Sequence, residues 1–324
     1  MNKTYLEILQ LLQQQQGNPL SGEEIATKLA ISRTAVWKAI KKLREQGIVI
    51  TGITKKGYIL DKKADLFSKE TIQPLRTDTL EIEIDFFEQV TSTNTLAKEY
   101  ASSASIQKSK LFVAAEQTQG RGRLGRSFYS PNQTGVYMSL CLFPQQSLDS
   151  IPLFTIQAAV ALYKTIHSLS PNEQLGIKWV NDIWLGHKKV AGILTEAVTD
   201  IQTQQVSALI IGLGVNVHMP THLPDELASI VTGFQTEMTV SRSELVARFL
   251  HEWEKTTTYS KQTLIQLYKQ HSIILNQDII VYSGQHSYTA TALDIGENGE
   301  LLIQTADGEY QELTYGEVSI RPFK

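Results

Sequence analysis

The chain has 324 residues and a formal net charge of −3, with 42% hydrophobic and 19% charged residues. This balance is typical of a globular protein of two or three domains. The single cysteine, Cys141, excludes a framework of intrachain disulfides. No apolar run is long enough to span a bilayer, and the N-terminal residues lack a signal-peptide pattern. We therefore expect a cytoplasmic protein.

The charge is distributed unevenly along the chain. Residues 1–62 contain ten Lys/Arg and five Asp/Glu, a net charge of +5, whereas the remainder has a net charge of −8. A basic end on an acidic body suggests that the two parts bind different partners. Nucleic acid is the natural partner for the basic end.

The first segment, residues 1–62, has the pattern of three helices and a hairpin. Apolar residues from Tyr5 to Leu12 repeat at i, i+3, i+4 and i+7, which predicts one face of a helix. Ser21 and Glu24 form a capping box for a short second helix. Ser32 can cap a third helix, and the link between the second and third helices is as short as a helix-turn-helix requires.

The third helix has the two faces that a DNA-recognition helix needs. We expect it to end at Gly47, before two short apolar runs around Lys55 and Lys56 that predict a hairpin, or wing. Polar and cationic residues on the outer face and the wing can reach bases and phosphates. The DNA-binding candidates are Ser32, Arg33, Thr34, Trp37, Lys38, Lys41, Lys42, Lys55 and Lys56. The alternative is an ordinary three-helix bundle with a solvated basic face.

The rest of the chain predicts an α+β protein. Residues 63–79 read as a linker. Several strand-like runs follow one another without an intervening helix in residues 80–272, which favours a mixed β-sheet with helices on one face over a doubly wound fold. Residues 273–324 contain only short strands and turn signals, at Glu297–Gly299 and at Asp307–Gly308, and predict a small SH3-like β-barrel.

The most informative motif is the glycine–arginine loop, residues 117–126 (QTQGRGRLGR). Its glycines match G-x-G-x-x-G, but the residues that follow break helix, so a dinucleotide-binding fold is excluded. Glycines let backbone N–H groups approach an anion, and arginines offer forked, permanently charged donors. The loop therefore predicts an anion site; the alternative is a mobile, solvated basic loop.

Two further clusters carry polar residues next to predicted strands. Lys178–Asp182 (KWVND) and Lys188–Glu196 (KKVAGILTE) flank a predicted turn at residues 183–187, an arrangement that places Lys189 near Lys178 and Asp182. Ser92, Thr93 and Asn94 lie where a helix opens after a strand, a position that both caps the helix and offers polar groups to a ligand.

In chain order, these motifs and Gly212–Val217 (GLGVNV) resemble those of the biotin–protein ligases. With the helix-turn-helix, the whole chain resembles the bifunctional biotin ligases that also repress the biotin operon. The resemblance implies a central domain of the biotin/lipoate ligase type, related to class II aminoacyl-tRNA synthetases. Val180 replaces the proline usual in the KWPND motif, which we expect to alter the turn only. Phe128 and Tyr129 stand where a tryptophan often follows the loop.

The resemblance also implies a reaction and its residues. Biotin and ATP form biotinyl-5′-AMP, and a lysine of the biotin carboxyl carrier protein of acetyl-CoA carboxylase, or of a similar acceptor, takes the biotinyl group. Mg²⁺ enters with ATP, with Asp182 as its candidate ligand. Biotin contacts are expected from Ser92, Thr93, Asn94, Gln117, Arg121, Gly122, Arg123 and Lys189, of which Lys189, Arg121 and Arg123 are the catalytic candidates. ATP or adenylate contacts are expected from Gly120, Arg126, Phe128, Lys178, Asn181, Asp182, Gly192 and Asn216.

The family resemblance further implies a homodimer, favoured by biotinyl-AMP, that binds operator DNA. Two other functions stay open at this point: a lipoate or octanoate ligase of related fold, and a non-catalytic repressor that senses a small ligand.

His218 and His222 share a proline-containing loop and do not predict a zinc site. Cys141 lies in an apolar strand, which predicts buried packing rather than a thioester role.

Overall fold

The computed structural model describes residues 3–15, 17–45, 48–61, 66–103, 107–144, 151–199, 206–220, 222–235, 240–283, 286–314 and 317–320. The chain divides into two compact units, residues 1–74 and 75–324. Gly47, the expected end of the third helix, and the predicted boundary at residues 62–63 lie outside the described residues. None of the described helices is long and apolar enough to cross a membrane.

The first unit is a helix-turn-helix with a two-stranded wing. Its main elements are α1 (Lys3–Gln14), α2 (Gly22–Leu29), α3 (Arg33–Glu45), β1 (Ile50–Ile53) and β2 (Gly57–Leu60), followed by the short helix α4 (Lys69–Ile72). The capping box is confirmed: the Glu24 backbone N–H donates to Ser21 Oγ at 3.1 Å, and the Ser21 N–H donates to the Glu24 carboxylate at 2.9 Å. Ser32 caps α3 through the Ala35 N–H at 3.1 Å.

A single apolar core holds this unit together. It combines the buried faces of the three helices with Leu20, Ile50 and Leu60 at the wing, and Leu66 also packs into it. Gly57 has φ of +110°, and a Cβ at this position would lie 2.2 Å from the Leu20 carbonyl oxygen. Only glycine therefore allows the wing to approach this close to the helices.

The second unit is built on a seven-stranded mixed sheet, as expected. In sequence order its strands are β3 (Glu83–Phe87), β4 (Lys110–Ala114), β5 (Gly135–Leu142), β6 (Leu175–Lys178), β7 (Asp182–Leu185), β8 (Lys188–Thr199) and β9 (Val206–Asn216). The order across the sheet is β3-β4-β5-β9-β8-β7-β6, and only the β3–β4 pair is parallel. The predicted turn at residues 183–187 is wrong in extent. Ile183 is buried and pairs with Ile177 and Ala191, so the strand continues to Leu185.

The helices of this unit are α5 (Thr93–Ser103), α6 (Ile151–Leu169), α7 (Asp225–Ala228), α8 (Arg242–Thr257) and α9 (Lys261–Gln270). Their expected placement on one face needs correction. Asn94 of α5 bonds to Glu196, whereas Thr155 of α6 bonds to the neighbouring Thr195. Adjacent strand residues point to opposite faces, so α5 and α6 lie on opposite sides of the sheet. The central strand β5 is accordingly buried along almost its whole length.

The C-terminal part is a five-stranded antiparallel sheet. It consists of β10 (Asp278–Ser283), β11 (His286–Ile295), β12 (Leu301–Thr305), β13 (Tyr310–Leu313) and β14 (Glu317–Ile320), in the order β13-β12-β11-β10-β14. The predicted turns at Gly299 and Gly308 are confirmed, since both glycines have positive φ. The Trp179 indole N–H donates to the Gly299 carbonyl at 2.9 Å and ties the first of these turns to the mixed sheet.

Candidate functional site

A cavity of about 170 Å³ lies beneath the glycine–arginine loop. Its walls come from the start of α5, the loop, the β6–β7 connection, β8, β9 and Val318 of β14. Most of the predicted site residues line it: Ser92, Thr93, Asn94, Gln117, Arg121, Gly122, Arg123, Arg126, Phe128, Lys178, Asn181, Asp182, Lys189 and Gly192. The structure thus brings together motifs that are up to 100 residues apart in the chain.

Two predicted residues, Gly120 and Asn216, are not in the cavity wall. A Cβ on Gly120 would lie 2.3 Å from the Phe128 carbonyl oxygen, so this glycine is required for the close approach of the chain behind the loop. Asn216 ends β9, pairs with Gly135, and its carbonyl accepts the Phe234 N–H. Gly120 and Asn216 therefore maintain the fold around the site and form no part of the cavity surface.

The glycine–arginine loop folds as a compact turn. The Gly122 N–H donates to the Arg126 carbonyl at 2.7 Å, and the Phe128 N–H donates to the Gly120 carbonyl at 2.8 Å. Between them, Leu124 and Gly125 both have positive φ, and the Leu124 side chain is 77% exposed. A 3-10 turn, not an α-helix, follows Gly122, which confirms that the G-x-G-x-x-G match is not a dinucleotide-binding motif.

Positive charge dominates one end of the cavity. Among its described lining residues, five cations (Arg121, Arg123, Arg126, Lys178 and Lys189) face a single carboxylate, Asp182. Lys189 Nζ lies 2.7 Å from Asp182 Oδ1, which confirms their predicted proximity, and both side chains are about three-quarters buried. Such a cluster has the charge to neutralise a polyanion such as a phosphate chain.

Neighbouring groups hold two of these cations, Arg123 and Lys178, in place. The Arg123 guanidinium donates to Asn181 Oδ1 at 3.0 Å, and the Asn181 amide donates in turn to the Ile193 carbonyl at 2.7 Å. Lys178 Nζ lies 4.2 Å from the centre of the Trp184 ring, a cation–π contact. These two cations, like Lys189 beside Asp182, are therefore oriented before any ligand arrives.

A second group of wall residues, called here the neutral end, is uncharged and forms hydrogen bonds. The Thr93 N–H donates to Gln117 Oε1 at 2.8 Å, and Gln117 Nε2 donates to Ser130 Oγ at 3.0 Å. Ser92 and Thr93 are almost fully buried. This end offers amide and hydroxyl groups, which suit a ligand with both donors and acceptors.

The Asn94 side chain is used within the protein. Its Nδ2 donates to Glu196 at 2.7 Å, and its Oδ1 accepts from Ser139 at 2.6 Å. Sequence analysis did not identify Ser139 or Glu196. The available signal is that Ser139 is a lone polar residue in an apolar run of β5 (SLCL), and that Glu196 is the one charged residue in ILTEA of β8.

Two glycines of β9 make room for site residues, and sequence analysis missed them as well. A Cβ on Gly212 would lie 2.1 Å from Asn94 Oδ1, and a Cβ on Gly214 would lie 2.5 Å from the Phe128 ring. The GLGVNV motif therefore serves the site through these glycines rather than through Asn216.

The C-terminal sheet reaches the cavity near the Lys178–Asp182 segment. Val318 of β14 lines the cavity, and Trp179 bonds to Gly299 as described above. The Trp179–Val180 peptide bond is cis, and the Tyr268 hydroxyl donates to the Val180 carbonyl at 3.1 Å. Complete burial raises the pKa of Tyr268 well above its usual value, and the nearby Asp182 raises it further, so the hydroxyl stays protonated as a donor.

The first unit carries a separate candidate surface. All nine predicted DNA-contact residues are exposed, whereas Val36, Ala39, Ile40 and Leu43 form the buried back of α3. Trp37 is 54% exposed, with Lys41 Nζ 5.7 Å from its ring centre. The expected division of α3 into a core face and an outer face is confirmed.

The remaining titratable groups point to no second centre. Within the described ranges, no group of three or more His, Cys, Asp or Glu residues could hold a metal ion. Cys141 is fully buried, and burial raises the pKa of its thiol to about 12. The expectation that Cys141 packs in the core is confirmed.

Comparison with known proteins follows the same three-part division. The family models that match are an HTH domain at residues 5–59, the biotin/lipoate A/B protein ligase family at residues 86–216, and the biotin protein ligase C-terminal domain at residues 274–321. The bifunctional ligase/repressor BirA of Bacillus subtilis (strain 168) is 32% identical over 93% of this chain and 94% of its own length. The chain belongs to the BirA family.

More distant relatives are consistent with this assignment. The BirA protein of Escherichia coli (strain K12) is 24% identical over 93% of the chain and 92% of its own length. The biotin protein ligase of Aquifex aeolicus, solved in complex with biotin and ATP, superposes with a TM-score of 0.60 at 23% identity. It covers 74% of this chain and 98% of its own, which confirms the ligase fold of this BirA-family member.

Proposed function

We propose that this chain forms biotinyl-5′-AMP from biotin and ATP and transfers the biotinyl group to a lysine of a biotin carboxyl carrier protein. The observation that carries the proposal is that one cavity wall combines two kinds of group. Among its described residues it carries five cations, and it also carries neutral amide and hydroxyl groups. Biotin needs both, because its ureido ring has donors and an acceptor and its carboxylate must meet a phosphate.

The first half-reaction joins two anions. A carboxylate oxygen of biotin attacks the α-phosphorus of ATP, and the bond to the β-phosphate oxygen breaks to release pyrophosphate. Lys189, Arg121 and Arg123 are the residues we assign to the carboxylate and the α-phosphate, where they offset the repulsion of the two reactants. In the free protein Lys189 is paired with Asp182 at 2.7 Å, which keeps its ammonium directed into the cavity.

The two ends of the ligand are assigned to different residues. Ser92, Thr93 and Gln117 bind the ureido ring, with Gly122 allowing close approach, and Asn94 supports them from behind. Arg126, Phe128, Lys178, Asn181 and Gly192 bind the nucleotide. Phe128 supplies an apolar ring beside Gly214, and its ring centre lies 6.4 Å from that of Tyr137 in an edge-to-face arrangement.

Magnesium fits the site as a companion of the nucleotide. Mg²⁺ is usually held by one or two carboxylates together with substrate phosphates, and Asp182 supplies one carboxylate at the cationic end. Bound there, the ion would neutralise phosphate charge in concert with the arginines. The protein's own residues then have to position the reactants and keep water out.

The second half-reaction needs no nucleophile from the enzyme. The neutral amine of the carrier lysine attacks the carbonyl of the mixed anhydride, AMP leaves, and the amine loses a proton. Since the anhydride is already activated, the site has only to align the amine with that carbonyl.

The first unit gives the chain its second activity, which is repression. We propose three domains, at residues 1–62, 80–272 and 273–324, with residues 63–79 as a linker and with α3 and the wing binding operator DNA. We further propose that biotinyl-AMP favours a homodimer that binds two operator half-sites. A gel-shift titration with and without biotin and ATP tests this link; equal operator affinity in both would contradict it.

The enzymatic proposal is tested by ATP–pyrophosphate exchange. Exchange should depend on biotin and not on lipoate or octanoate, and a carrier domain should then acquire biotin. Exchange with lipoate or octanoate alone would favour the related ligases. No exchange with any of these acids would indicate a repressor that only senses its ligand.

A further inference from the structure

A chain of polar side chains continues behind the neutral end of the cavity into the sheet. Lys98 Nζ lies 2.5 Å from Glu196 Oε1, and Glu196 Oε2 accepts from Asn94 Nδ2 at 2.7 Å. Ser139 Oγ lies 2.6 Å from Asn94 Oδ1 and 2.7 Å from Thr93 Oγ1. The chain thus runs from a partly exposed ion pair on one side of the sheet to a residue of the cavity wall.

The direction of each hydrogen bond in this chain is determined. A lysine ammonium only donates and an ionised carboxylate only accepts, so Asn94 must turn its Nδ2 toward Glu196. Its Oδ1 then faces Ser139, whose single proton is used there. The Ser139 oxygen is left as an acceptor for the Thr93 hydroxyl, whose other acceptor within reach is Gln117 Oε1 at 3.1 Å. Among the described residues, Ser139 is the one side chain placed to donate to Thr93 Oγ1, so with its proton on Asn94 the Thr93 lone pairs stay available.

We propose that Glu196 is a positioning residue for biotin recognition. By accepting from Asn94, it fixes the orientation of that amide and, through Ser139, keeps Thr93 Oγ1 available to accept an N–H of the ligand's ureido ring. The inference rests on the proposed function, since it takes the neutral end of the cavity as the ureido site. It assigns a role to a carboxylate that touches no substrate.

Removing the acceptor at position 196 should reverse the chain. Without it, Asn94 Nδ2 retains only the Leu194 carbonyl at 3.4 Å, which is a weak bond. The amide then gains by turning Nδ2 toward the Ser139 oxygen. The Ser139 proton then points to Thr93 Oγ1. The Thr93 proton must turn away from Ser139, toward Gln117 Oε1 at 3.1 Å or into the cavity, where it opposes an incoming ureido N–H.

Two double variants separate this role from the ion pair. K98M/E196Q and K98M/E196M both lack the charges of Lys98 and Glu196 and are nearly equal in size. They differ in one respect, because only glutamine presents an oxygen to Asn94. Biotin KM and kcat are measured by pyrophosphate exchange for the full chain and both variants. The control is Lys269→Met, which removes a partly exposed ion pair with Asp294.

We expect K98M/E196Q to keep its biotin KM within about threefold of wild type. K98M/E196M should raise it on the order of tenfold to a hundredfold, the usual range for a buried polar group left without its partner. In both variants kcat at saturating biotin and the KM for ATP should stay within about twofold. If biotin KM rose equally in both variants, the loss of the ion pair would be the cause, and the proposal would be overturned. The proposal would also be overturned if biotin KM rose in neither variant.

A further variant keeps the test decisive if the methionine variant does not fold. Ser139→Ala removes the proton that holds the other end of the Asn94 amide, so it should raise biotin KM in the same range. An unchanged biotin KM in that variant would overturn the proposal. Failure of the wild-type chain to use biotin at all would instead refute the proposed function, and the two results are distinct.

Discussion

Replacement of Lys189 by glutamine tests the electrostatic basis of the proposed reaction. Lys189 Nζ lies 2.7 Å from Asp182, and the two side chains are 24% and 22% exposed. At an effective dielectric constant of about 20, one unit charge at this distance from another contributes about 6 kcal/mol. Solvent around the partly exposed groups reduces this value, and about 3 kcal/mol is typical for the loss of one electrostatic partner of a transition state.

A loss of about 3 kcal/mol corresponds to a decrease of roughly a hundredfold in kcat/KM for biotin. The assay is biotin-dependent ATP–pyrophosphate exchange at saturating ATP. Lys188→Gln is the matched control, because Lys188 is the adjacent residue and its Nζ donates to the Ala228 carbonyl. We expect that control to retain nearly full activity.

A second control addresses the carboxylate that the first substitution leaves behind. In Lys189→Gln, Asp182 keeps its negative charge without its partner and repels the phosphates. The double variant K189Q/D182N removes both charges. If activity in Lys189→Gln stays within about fivefold of wild type, or if the double variant restores wild-type activity, the proposed contact of Lys189 with the reacting groups is refuted.

Three other predictions concern separate parts of the chain. Gly214→Ala places a methyl group 2.5 Å from the Phe128 ring. The KM for ATP should therefore rise on the order of tenfold, while the KM for biotin is little changed. Equal changes in both KM values would contradict the assignment of Phe128 to the nucleotide. Lys56→Gln should lower the slope of log affinity against log salt for duplex DNA by about one, measured by fluorescence anisotropy. An unchanged slope would remove the wing from the phosphate contacts. Burial raises the pKa of Cys141 to about 12, so little thiolate is present at pH 8. The native protein should therefore not react with a disulfide reagent until it is unfolded. Rapid labelling of Cys141 in the native protein would contradict its burial.

The local elements of the fold were predictable because their signals lie within a few residues. The Ser21–Glu24 capping box, the Ser32 cap and the buried face of α3 depend on spacings of three and four residues, which sequence displays directly. The turns at Gly299 and Gly308 carry the residue type that positive φ favours. The mixed sheet was predictable because several strand-like runs follow one another in the sequence without a helix between them.

Errors arose where tertiary contacts decide the outcome. The strand at Ile183 was assigned to a turn because its polar neighbours suggested a loop, whereas burial against Ile177 and Ala191 extends the strand. Helix α9 went unrecognised, although it packs its buried Tyr268 beside the Lys178–Asp182 segment. The opposite placement of α5 and α6 depends on which alternate residues of β8 each helix meets, and a continuous apolar run does not reveal that.

The site itself divides in the same way. Residues in dense motifs, such as Arg123 and Lys189, were found because glycines and cations cluster in the sequence. Ser139 and Glu196 were missed because their partner, Asn94, is 45 positions away from the first and 102 from the second, so no local motif links them. Gly212 and Gly214 act through the side chains they admit, which only the packed sheet shows.

The central claim is that the cationic end of the cavity binds and neutralises an acyl-adenylate. A crystal structure of the full chain with a non-hydrolysable biotinyl-AMP analogue tests it most directly. We predict that Arg121, Arg123 and Lys189 contact the phosphate and the adjoining carbonyl, with the ureido ring at Thr93 and Gln117. An analogue bound elsewhere, with the three cationic side chains directed into solvent, would contradict the account.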